Sequence, residues 1–426
     1  MKLFQQMLVA TASLGMIAPI AAQASDVLNL DGIDGYSRGT KSTNRIDSQT
    51  FINETNEDLA VLKGRVDGLE ARQENFEAGS FSDTTTMDGK AVFQLGAVEQ
   101  AEGGLSEGLA AAYMYQINLN TSFTGDDNLY VRIKTGNASE WMDSKTYGTY
   151  LSSANGNNDS LEVDKLWYTF PIGDNVTAWV GPKIENYYMH GTTPSIYKPV
   201  TKQFTLGGNA AAYGASTDSG VGLAYNADNG FAISSNVVSK QNETTNGFLT
   251  NQARTSWATQ IGYTKPQYAV SAIVNMKYNG WYDDYFSTAL GVSSRGYGST
   301  NLNSTNIGLR AWWRPVESGT ATPEVTVGYD TSEIDNATAG SDSTNAWFAG
   351  FTWKDMFNAD DRIGVAFGQP QTLESETVDP FAYELYYSYK LNDSVTVTPA
   401  VFGGSDRNGT VGHDISGAVL ETTFKF

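Results

Sequence analysis

The sequence predicts an all-β protein, a 16-stranded antiparallel transmembrane β-barrel with an N-terminal periplasmic coiled-coil helix. Three observations predict this fold: a secretory leader at one end, an alternating strand closing on Phe426 at the other, and a series of period-two segments between them. Past the leader, no stretch is apolar for long enough to form a spanning helix. A membrane-embedded chain of this kind must therefore cross with strands that close on themselves.

The first predicted element is a signal peptide over residues 1–24. Lys2 precedes an apolar run from Leu8 to Ala22, and Ala22-Gln23-Ala24 forms a small-residue cleavage site, so we expect cleavage after Ala24. The alternative is a membrane anchor, but the run is short and rich in Ala and Gly. Residues 25–50 follow as a flexible polar segment.

A seven-residue periodicity over residues 51–78 predicts a coiled coil of roughly three heptads. Its two seam positions hold Ile52, Leu59, Val66 and Gln73, and Thr55, Leu62, Leu69 and Phe76. A helix this short needs partner helices to bury its seam, which makes a homotrimer the simplest expectation. A lone amphipathic helix docked on the barrel mouth is the alternative.

Residues 88–426 form the predicted barrel domain, in which period-two segments alternate with breaks rich in Gly, Asn, Asp, Ser and Pro. The predicted strands start near residues 91, 110, 128, 161, 175, 219, 230, 255, 267, 304, 323, 343, 361, 381, 394 and 413. In the third, apolar Leu129, Val131 and Ile133 alternate with Tyr130, Arg132 and Lys134. The apolar face would meet outer-membrane lipid and the polar face a wet lumen.

Break lengths predict the orientation of the barrel. The connections after even-numbered strands are mostly tight, whereas the longest ones follow odd-numbered strands, near 137–160, 184–218 and 280–303. Short periplasmic turns and long outer loops are typical of such barrels, so both barrel ends of the chain and the N-terminal arm should be periplasmic. Aromatic residues at strand ends, including Trp312, Trp313, Trp347 and Tyr386, suggest interfacial girdles.

Inward charges are the candidate pore-lining residues, because lumen charge sets selectivity in such channels. They are Arg132, Lys134, Lys165, Lys183, Lys277, Arg310 and Glu384, with Asp330 as a further acid. We interpret them as a basic wall that favours small anions, with simple hydration of the lumen as the alternative.

The long segment from Glu185 to Asp218 is the candidate constriction loop. Its candidate residues are Tyr187, Tyr188, Tyr197, Lys198 and Lys202. The tyrosines suit either stacking on sugar rings or packing of the loop against the wall, and packing is the favoured interpretation.

Several function classes have little support in the composition. The 426 residues include no Cys and carry a net charge of -20, which excludes disulfides and thiolate metal sites and argues against nucleic-acid binding. Two histidines, His190 and His413, support neither a catalytic triad nor a metal site, and no cofactor is expected. The acidic turns ending at Asp127 and Asp361 lack the ligand pattern of a calcium loop and are interpreted as solvated turns.

The stretch Asp58-Leu-Ala-Val-Leu-Lys-Gly-Arg-Val-Asp-Gly-Leu-Glu-Ala-Arg72, followed by Phe81-Ser82 and Val92-Phe-Gln-Leu-Gly96, resembles the junction of cyanobacterial outer-membrane porins. Those proteins join an S-layer-homology domain and a coiled coil to an OprB-type carbohydrate-selective barrel. The resemblance implies passive uptake of small solutes, described in the family as carbohydrate or iron uptake. Residues 25–50 are too short and polar for the S-layer-homology domain, so contact with the cell wall stays open.

Two functions follow as hypotheses. The first is an outer-membrane porin for passive diffusion of small hydrophilic solutes, namely inorganic ions or sugars. The alternative is a structural envelope protein that anchors the outer membrane through its periplasmic coiled coil. The long loop and the inward charges favour the porin, because an anchor needs neither.

Overall fold

The computed structural model describes Lys63, Val66 and residues 84–101, 108–208, 211–213, 217–240, 247–281, 286–288, 302–335, 337 and 342–426. The chain divides into two units, Met1–Asp83 and Thr84–Phe426, and the fold described below is that of the second. The predicted signal peptide and flexible segment lie outside the described residues, as does the coiled coil apart from Lys63 and Val66, both helical. None of the described helices is long and apolar enough to cross a membrane.

Sixteen antiparallel strands form a closed barrel in which each strand pairs with its neighbours in sequence and β1 pairs with β16. This confirms the predicted fold class of the barrel. The strands are β1 Thr85–Gln100, β2 Ala110–Thr121, β3 Asn128–Gly136, β4 Glu162–Ile172, β5 Val176–Ile184, β6 Asp218–Asn226, β7 Phe231–Ser239, β8 Thr255–Lys265, β9 Tyr268–Tyr278, β10 Ser304–Trp313, β11 Glu324–Ile334, β12 Ser343–Lys354, β13 Arg362–Leu373, β14 Ala382–Lys390, β15 Val395–Gly404 and β16 Ile415–Lys425. The described 3-10 helices are Glu140–Met142, Asn186–Met189, Lys202–Phe204 and Arg407–Gly409.

Strand positions agree closely with those expected from the alternation, with one exception. The first strand begins at Thr85, before both the expected start near residue 91 and the barrel boundary at residue 88. Thr85 to Gly89 contain Thr, Asp and Gly, which indicate a break, yet these residues pair with β2 from Thr85 opposite Thr121 onward. Backbone pairing to a neighbouring strand therefore overrides the local signal.

Period-two burial separates the two faces of the wall. In β8, Ser256 and Gln260 are buried inside, whereas Trp257 and Ile261 are exposed outside. An outer surface of this kind matches lipid, and an inner surface of polar side chains matches a wet interior. The short connections, such as that between Lys265 and Tyr268, lie at one end of the barrel and the long loops at the other, as the break lengths predict.

Two aromatic residues assigned to the girdles face inward instead. Trp312 is 5% exposed, and its indole nitrogen donates to the carbonyl oxygen of Thr193 at 3.0 Å. Tyr386 is 4% exposed and packs against the ring of Tyr197. Both residues lie on the inner phase of their strands, so they hold a loop inside the barrel rather than contacting the membrane interface.

The acidic turns are structured rather than simply solvated. Asp127 is buried and accepts the backbone N–H groups of Phe123 and Thr124, both at 2.9 Å. The hydroxyl of Tyr168 and these turn amides hold the pKa of Asp127 well below its ordinary value. Asp361 plays the same role in the turn before β13. Each carboxylate satisfies amides that have no strand partner.

Candidate functional site in the barrel interior

The loop between β5 and β6 enters the barrel and follows its inner wall. Near its start, the side-chain amide of Asn186 donates to Asn236 of β7 at 2.6 Å. Farther along, the backbone N–H of Thr192 donates to Gln260 of β8 at 3.0 Å. Polar residues on inner strand faces therefore guide the loop across the lumen. The loop thus lies inside the barrel, and its role as a constriction stays a prediction.

A buried carboxylate anchors the segment of this loop from Tyr197 to Thr201. Glu384 of β14 is 1% exposed and accepts the hydroxyl of Tyr197 at 2.8 Å and the backbone N–H of Thr201 at 2.7 Å. It also accepts the N–H of Val200 at 3.2 Å and the hydroxyl of Thr201. The ring of Tyr197 lies against Gly350, where a Cβ atom would come within 2.9 Å of it. Glu384, expected to line the pore, thus lies beneath the loop.

The middle of the loop is held by a buried guanidinium. Arg310 of β10 pairs with Asp330 of β11 at 2.7 Å, and its side chain is 0% exposed. Arg310 also donates to the carbonyl oxygens of Leu206 at 2.9 Å and Gly208 at 3.0 Å. These contacts use the several N–H groups that a guanidinium offers. The charge of Arg310 is therefore matched inside the wall and is shielded from the lumen.

A second loop joins the first inside the barrel. Residues 137–161 connect β3 and β4, and Leu151 forms an antiparallel bridge with Thr201. The backbone N–H of Ser152 donates to Val200 at 2.7 Å, and that of Lys202 donates to Tyr150 at 2.7 Å. The two loops therefore form a short ribbon, and Lys202 belongs to that ribbon.

Three other candidate lysines have protein contacts. Lys165 is 2% exposed and pairs with Glu185 at 2.8 Å at the root of the constriction loop. Lys277 is equally buried, on the inner phase of β9. Lys183 donates to the carbonyl oxygen of Val163 at 2.7 Å in an exposed position. The alternation of apolar and polar residues in the sequence cannot tell whether a lysine is buried in an ion pair, buried on the inner phase of a strand, or exposed.

The tyrosines at the root of the loop stack on the wall. Ring centroids lie 4.5 Å apart for Tyr187 and Tyr188, 4.6 Å for Tyr188 and Trp167, and 4.4 Å for Trp167 and Tyr130. Burial raises the pKa of Tyr187 well above its ordinary value, so the phenol stays neutral. These contacts attach the loop to β3 and β4.

The inner face of β16, β1, β2 and β3 carries cations that form no ion pair within the described residues. Register places Lys425 of β16 opposite Lys90 of β1, Lys90 opposite Gln116 of β2, and Gln116 opposite Lys134 of β3. Lys425 is four residues from Glu421, and Lys90 is four residues from Gln94. Residues an even number apart in a strand share a face, and the side chains of Glu421 and Gln94 bond to each other inside the barrel. All four residues of the row therefore lie on the inner face. Within the described residues, Lys90, Lys134 and Lys425 have no carboxylate within ion-pair distance. We call Lys425, Lys90 and Lys134 the lysine row.

Arg132 and Lys198 complete the placement of the candidate residues. Arg132 forms a partly exposed pair with Asp164 and lies opposite Lys165 in the strand register. Lys198 is exposed on the loop and faces a cavity lined by Arg362 and Lys425. The sequence reasoning missed Lys90, Arg362 and Lys425. Counting the alternation outward from Val92 and Glu421 would have assigned Lys90 and Lys425 to the inner face.

His190 is a neutral packing residue of the loop. Its Nδ1 atom lies 3.1 Å from the hydroxyl of Ser234, and its ring meets the edge of Tyr213. Burial lowers the pKa of His190 to about 3. Within the described part of the chain, no three His, Asp or Glu side chains are grouped to hold a metal ion.

Comparisons with known proteins agree with this geometry. A family model described as carbohydrate-selective porin, OprB family, matches residues 45–402. One relative is an uncharacterized protein of Nostoc sp., 26% identical over 430 residues that cover 89% of this chain and 72% of the relative. An uncharacterized protein of Synechocystis sp. is 25% identical over 394 residues, covering 80% and 69%.

Solved structures share the fold at low sequence identity. Pseudomonas putida OprB superposes with a TM-score of 0.54 at 12% identity, covering 80% of this chain and 94% of that chain. A mutant of the Rh. blastica porin gives a TM-score of 0.51 at 12% identity, covering 80% and 100%. These similarities place the barrel among known channel folds.

Proposed function

The chain belongs to the OprB family of carbohydrate-selective porins, and we propose that it passes small hydrophilic solutes by passive diffusion and favours anions. The family and the barrel fold indicate an integral outer-membrane porin. The finer proposal concerns which solutes its interior favours.

The lysine row is the observation that supports anion preference. Three amines share one inner row over four neighbouring strands, and within the described residues none of them has a carboxylate within ion-pair distance. Lumen charge of one sign raises the local concentration of counter-ions and lowers that of co-ions. The remaining candidate cations Lys165 and Arg310 contribute less, since each has a buried acidic partner.

Planar-bilayer recording of the purified full-length protein tests this proposal. In a gradient of potassium chloride, we expect open channels whose reversal potential has the sign of chloride preference. A cation-preferring sign overturns the anion proposal. A closed barrel in every preparation overturns the porin proposal and favours the alternative, an envelope protein whose barrel serves as an anchor.

Sugar passage is a second candidate, and one observation favours it. Tyr130, Trp167 and Tyr188 form a stack beside Arg132, whose guanidinium lies 3.4 Å from the hydroxyl of Tyr188. Aromatic faces next to a hydrogen-bond donor suit a sugar ring. Swelling of proteoliposomes in isotonic sugars of increasing size tests it, because a channel for ions alone leaves those liposomes unswollen.

The N-terminal arm is proposed on sequence grounds. We expect cleavage after Ala24, a periplasmic coiled coil over residues 51–78 and a homotrimer held partly by that coil. The oligomeric state in detergent, measured with and without residues 52–77, tests the contribution of the coil. Contact of this arm with the cell wall would add an anchoring role to the channel.

A further inference from the structure

A cavity of about 390 Å³ lies inside the barrel, between the loop segment at Ile196 and Lys198 and the wall from β12 to β16. Its lining also includes the residues of the short turns after β12 and β14. Five cationic side chains reach it: Lys198, Lys354, Arg362, Lys390 and Lys425. We call this space the turn-end cavity.

The carboxylates around the turn-end cavity already have partners. Asp360 and Asp393 both bind Lys390, at 2.8 and 3.0 Å. Asp361 accepts three backbone N–H groups of its turn, and Asp355 accepts the N–H of Asp360 at 2.7 Å. The acidic residues of the two turns therefore stabilise the turns and pair with Lys390 alone among the five cations.

Three cations of the cavity have no acidic partner. Lys354 pairs with Glu324 at 2.7 Å, but Lys198, Arg362 and Lys425 have no carboxylate within ion-pair distance in the described ranges. Arg362 lies opposite Lys354 in the register of β12 and β13, which places like charges on adjacent strands. Burial and the positive charges of Arg362, Lys425 and Lys354 lower the pKa of Lys198.

Neutral donors complete the lining. Thr352, Ser388 and Thr396 also line the cavity, and Arg362 lies opposite Ser388 in the strand register. An oxyanion presents several acceptor oxygens, which a planar guanidinium binds in pairs and which ammonium and hydroxyl groups bind singly. A monatomic anion such as chloride offers one acceptor atom and cannot bind a guanidinium through two separate oxygens.

We propose that the turn-end cavity is a binding site for a small oxyanion of the phosphate class, held by Lys198, Arg362 and Lys425. The site rests on the proposed function insofar as solutes reach it through the lumen, and it adds a selective step to otherwise passive diffusion. Like-charge repulsion among the three cations falls when the anion binds, which gives the site its affinity.

Calorimetric titration of the full-length protein in detergent tests the site. Sodium phosphate is the probe, and sodium chloride keeps the ionic strength constant so that screening does not change. We expect saturable binding, weakened about tenfold by Lys198→Gln, since a charge-assisted hydrogen bond contributes that much. Arg362→Gln should weaken it further, because two donors are lost. Chloride alone should give no saturable heat.

Lys134→Gln is the matched control, because it removes an inward lysine that lies outside the cavity. Phosphate affinity unchanged by Lys134→Gln but reduced by Lys198→Gln supports the site. Absence of saturable binding in the wild type, or equal weakening by both variants, overturns it. Lys198 is exposed on a loop, so its replacement should leave the fold intact.

Bilayer recording separates failure of the site from failure of the proposed function. Open, anion-preferring channels without saturable phosphate binding overturn the site alone. Saturable phosphate binding to a barrel that never conducts overturns the proposed function and leaves the site standing.

Discussion

The two sides of the barrel interior use the same kind of residue for different purposes. Beneath the constriction loop, Arg310 and Glu384 are covered and fully bonded, and they hold the loop to the wall. On β1 and β3, Lys90 and Lys134 lie on the inner face, are only partly buried and form no ion pair within the described residues. The role of an inward charge on a barrel strand therefore depends on which residues pack over it and bond to it. We call buried, fully bonded charges covered and partly exposed charges without an ion pair uncovered. We propose that covered charges stabilise the loop and that uncovered charges act on solutes.

Arg310→Met gives the largest expected effect, because it leaves Asp330 as a buried charge without a partner. Removing one member of a buried pair costs about 3 to 5 kcal/mol. Urea unfolding in lipid vesicles should show this loss. The double variant Arg310→Met with Asp330→Leu should regain most of the stability, and failure to do so would mean that the loop contacts of Arg310 matter more than the ion pair.

Glu384→Leu comes next, because it detaches the loop without leaving a charge behind. The N–H groups of Val200 and Thr201 and the hydroxyls of Tyr197 and Thr201 lose their acceptor. Because the loop can leave the wall and return these groups to water, we expect a total cost of about 1 to 3 kcal/mol. Single-channel conductance should rise as the loop leaves the lumen. Glu384→Gln keeps an acceptor oxygen, so its conductance should lie between those of the wild type and Glu384→Leu. Equal conductance in all three proteins would mean that the loop does not constrict the channel.

Acidification should loosen the same loop through His190. The docked loop holds the pKa of His190 at about 3, below its ordinary value of 6.5, so docking favours the neutral ring. Above pH 6.5 the ring is neutral whether or not the loop is docked, so protonation does not oppose docking. As pH falls from 6.5 toward 3, the free energy of docking becomes less favourable by about 1.4 kcal/mol per pH unit, because only the undocked ring takes up a proton. Current noise in single channels should increase over that range in the wild type. His190→Gln should show less of this change, and an identical pH dependence would assign it to other groups.

Lys134→Gln gives the smallest expected change in stability, within about 0.5 kcal/mol. Lys134 has no ion-pair partner in the described part of the chain, so its loss breaks no buried contact. Lys165→Gln is the covered counterpart, because Glu185 would then lose its partner. Urea unfolding should show a smaller loss in the free energy of unfolding for Lys134→Gln than for Lys165→Gln. Equal losses would remove the distinction between covered and uncovered charge.

Sequence periodicity predicts the strands of the barrel better than the loop contacts inside it. Strands such as β8 and β9 alternate apolar and polar residues and end at Gly, Pro and Asn, so their positions follow from local signals. The inner face also follows from that alternation in β10, where Arg310 lies on the same phase as buried Asn306 and Gly308. These properties depend on residues close together in the chain.

What covers an inward residue depends on contacts between distant segments. Glu384 meets Thr201, which is 183 residues away in the chain, and Trp312 meets Thr193, 119 residues away. No local period encodes such pairs, so Trp312 and Tyr386 were assigned to the membrane interface. Asp127 and Asp361 were assigned to solvent for a related reason, since turn geometry decides which amides a carboxylate can reach.

The reversal potential of a variant lacking the lysine row tests the distinction between the two sides most directly. Lys90, Lys134 and Lys425 are replaced together by Gln, and current is recorded in a potassium chloride gradient beside the wild type. We predict chloride preference in the wild type and a reversal potential near zero or of cation sign in the variant, with a comparable stability of the barrel. An unchanged reversal potential would contradict the conclusion that uncovered lysines set the selectivity of this channel.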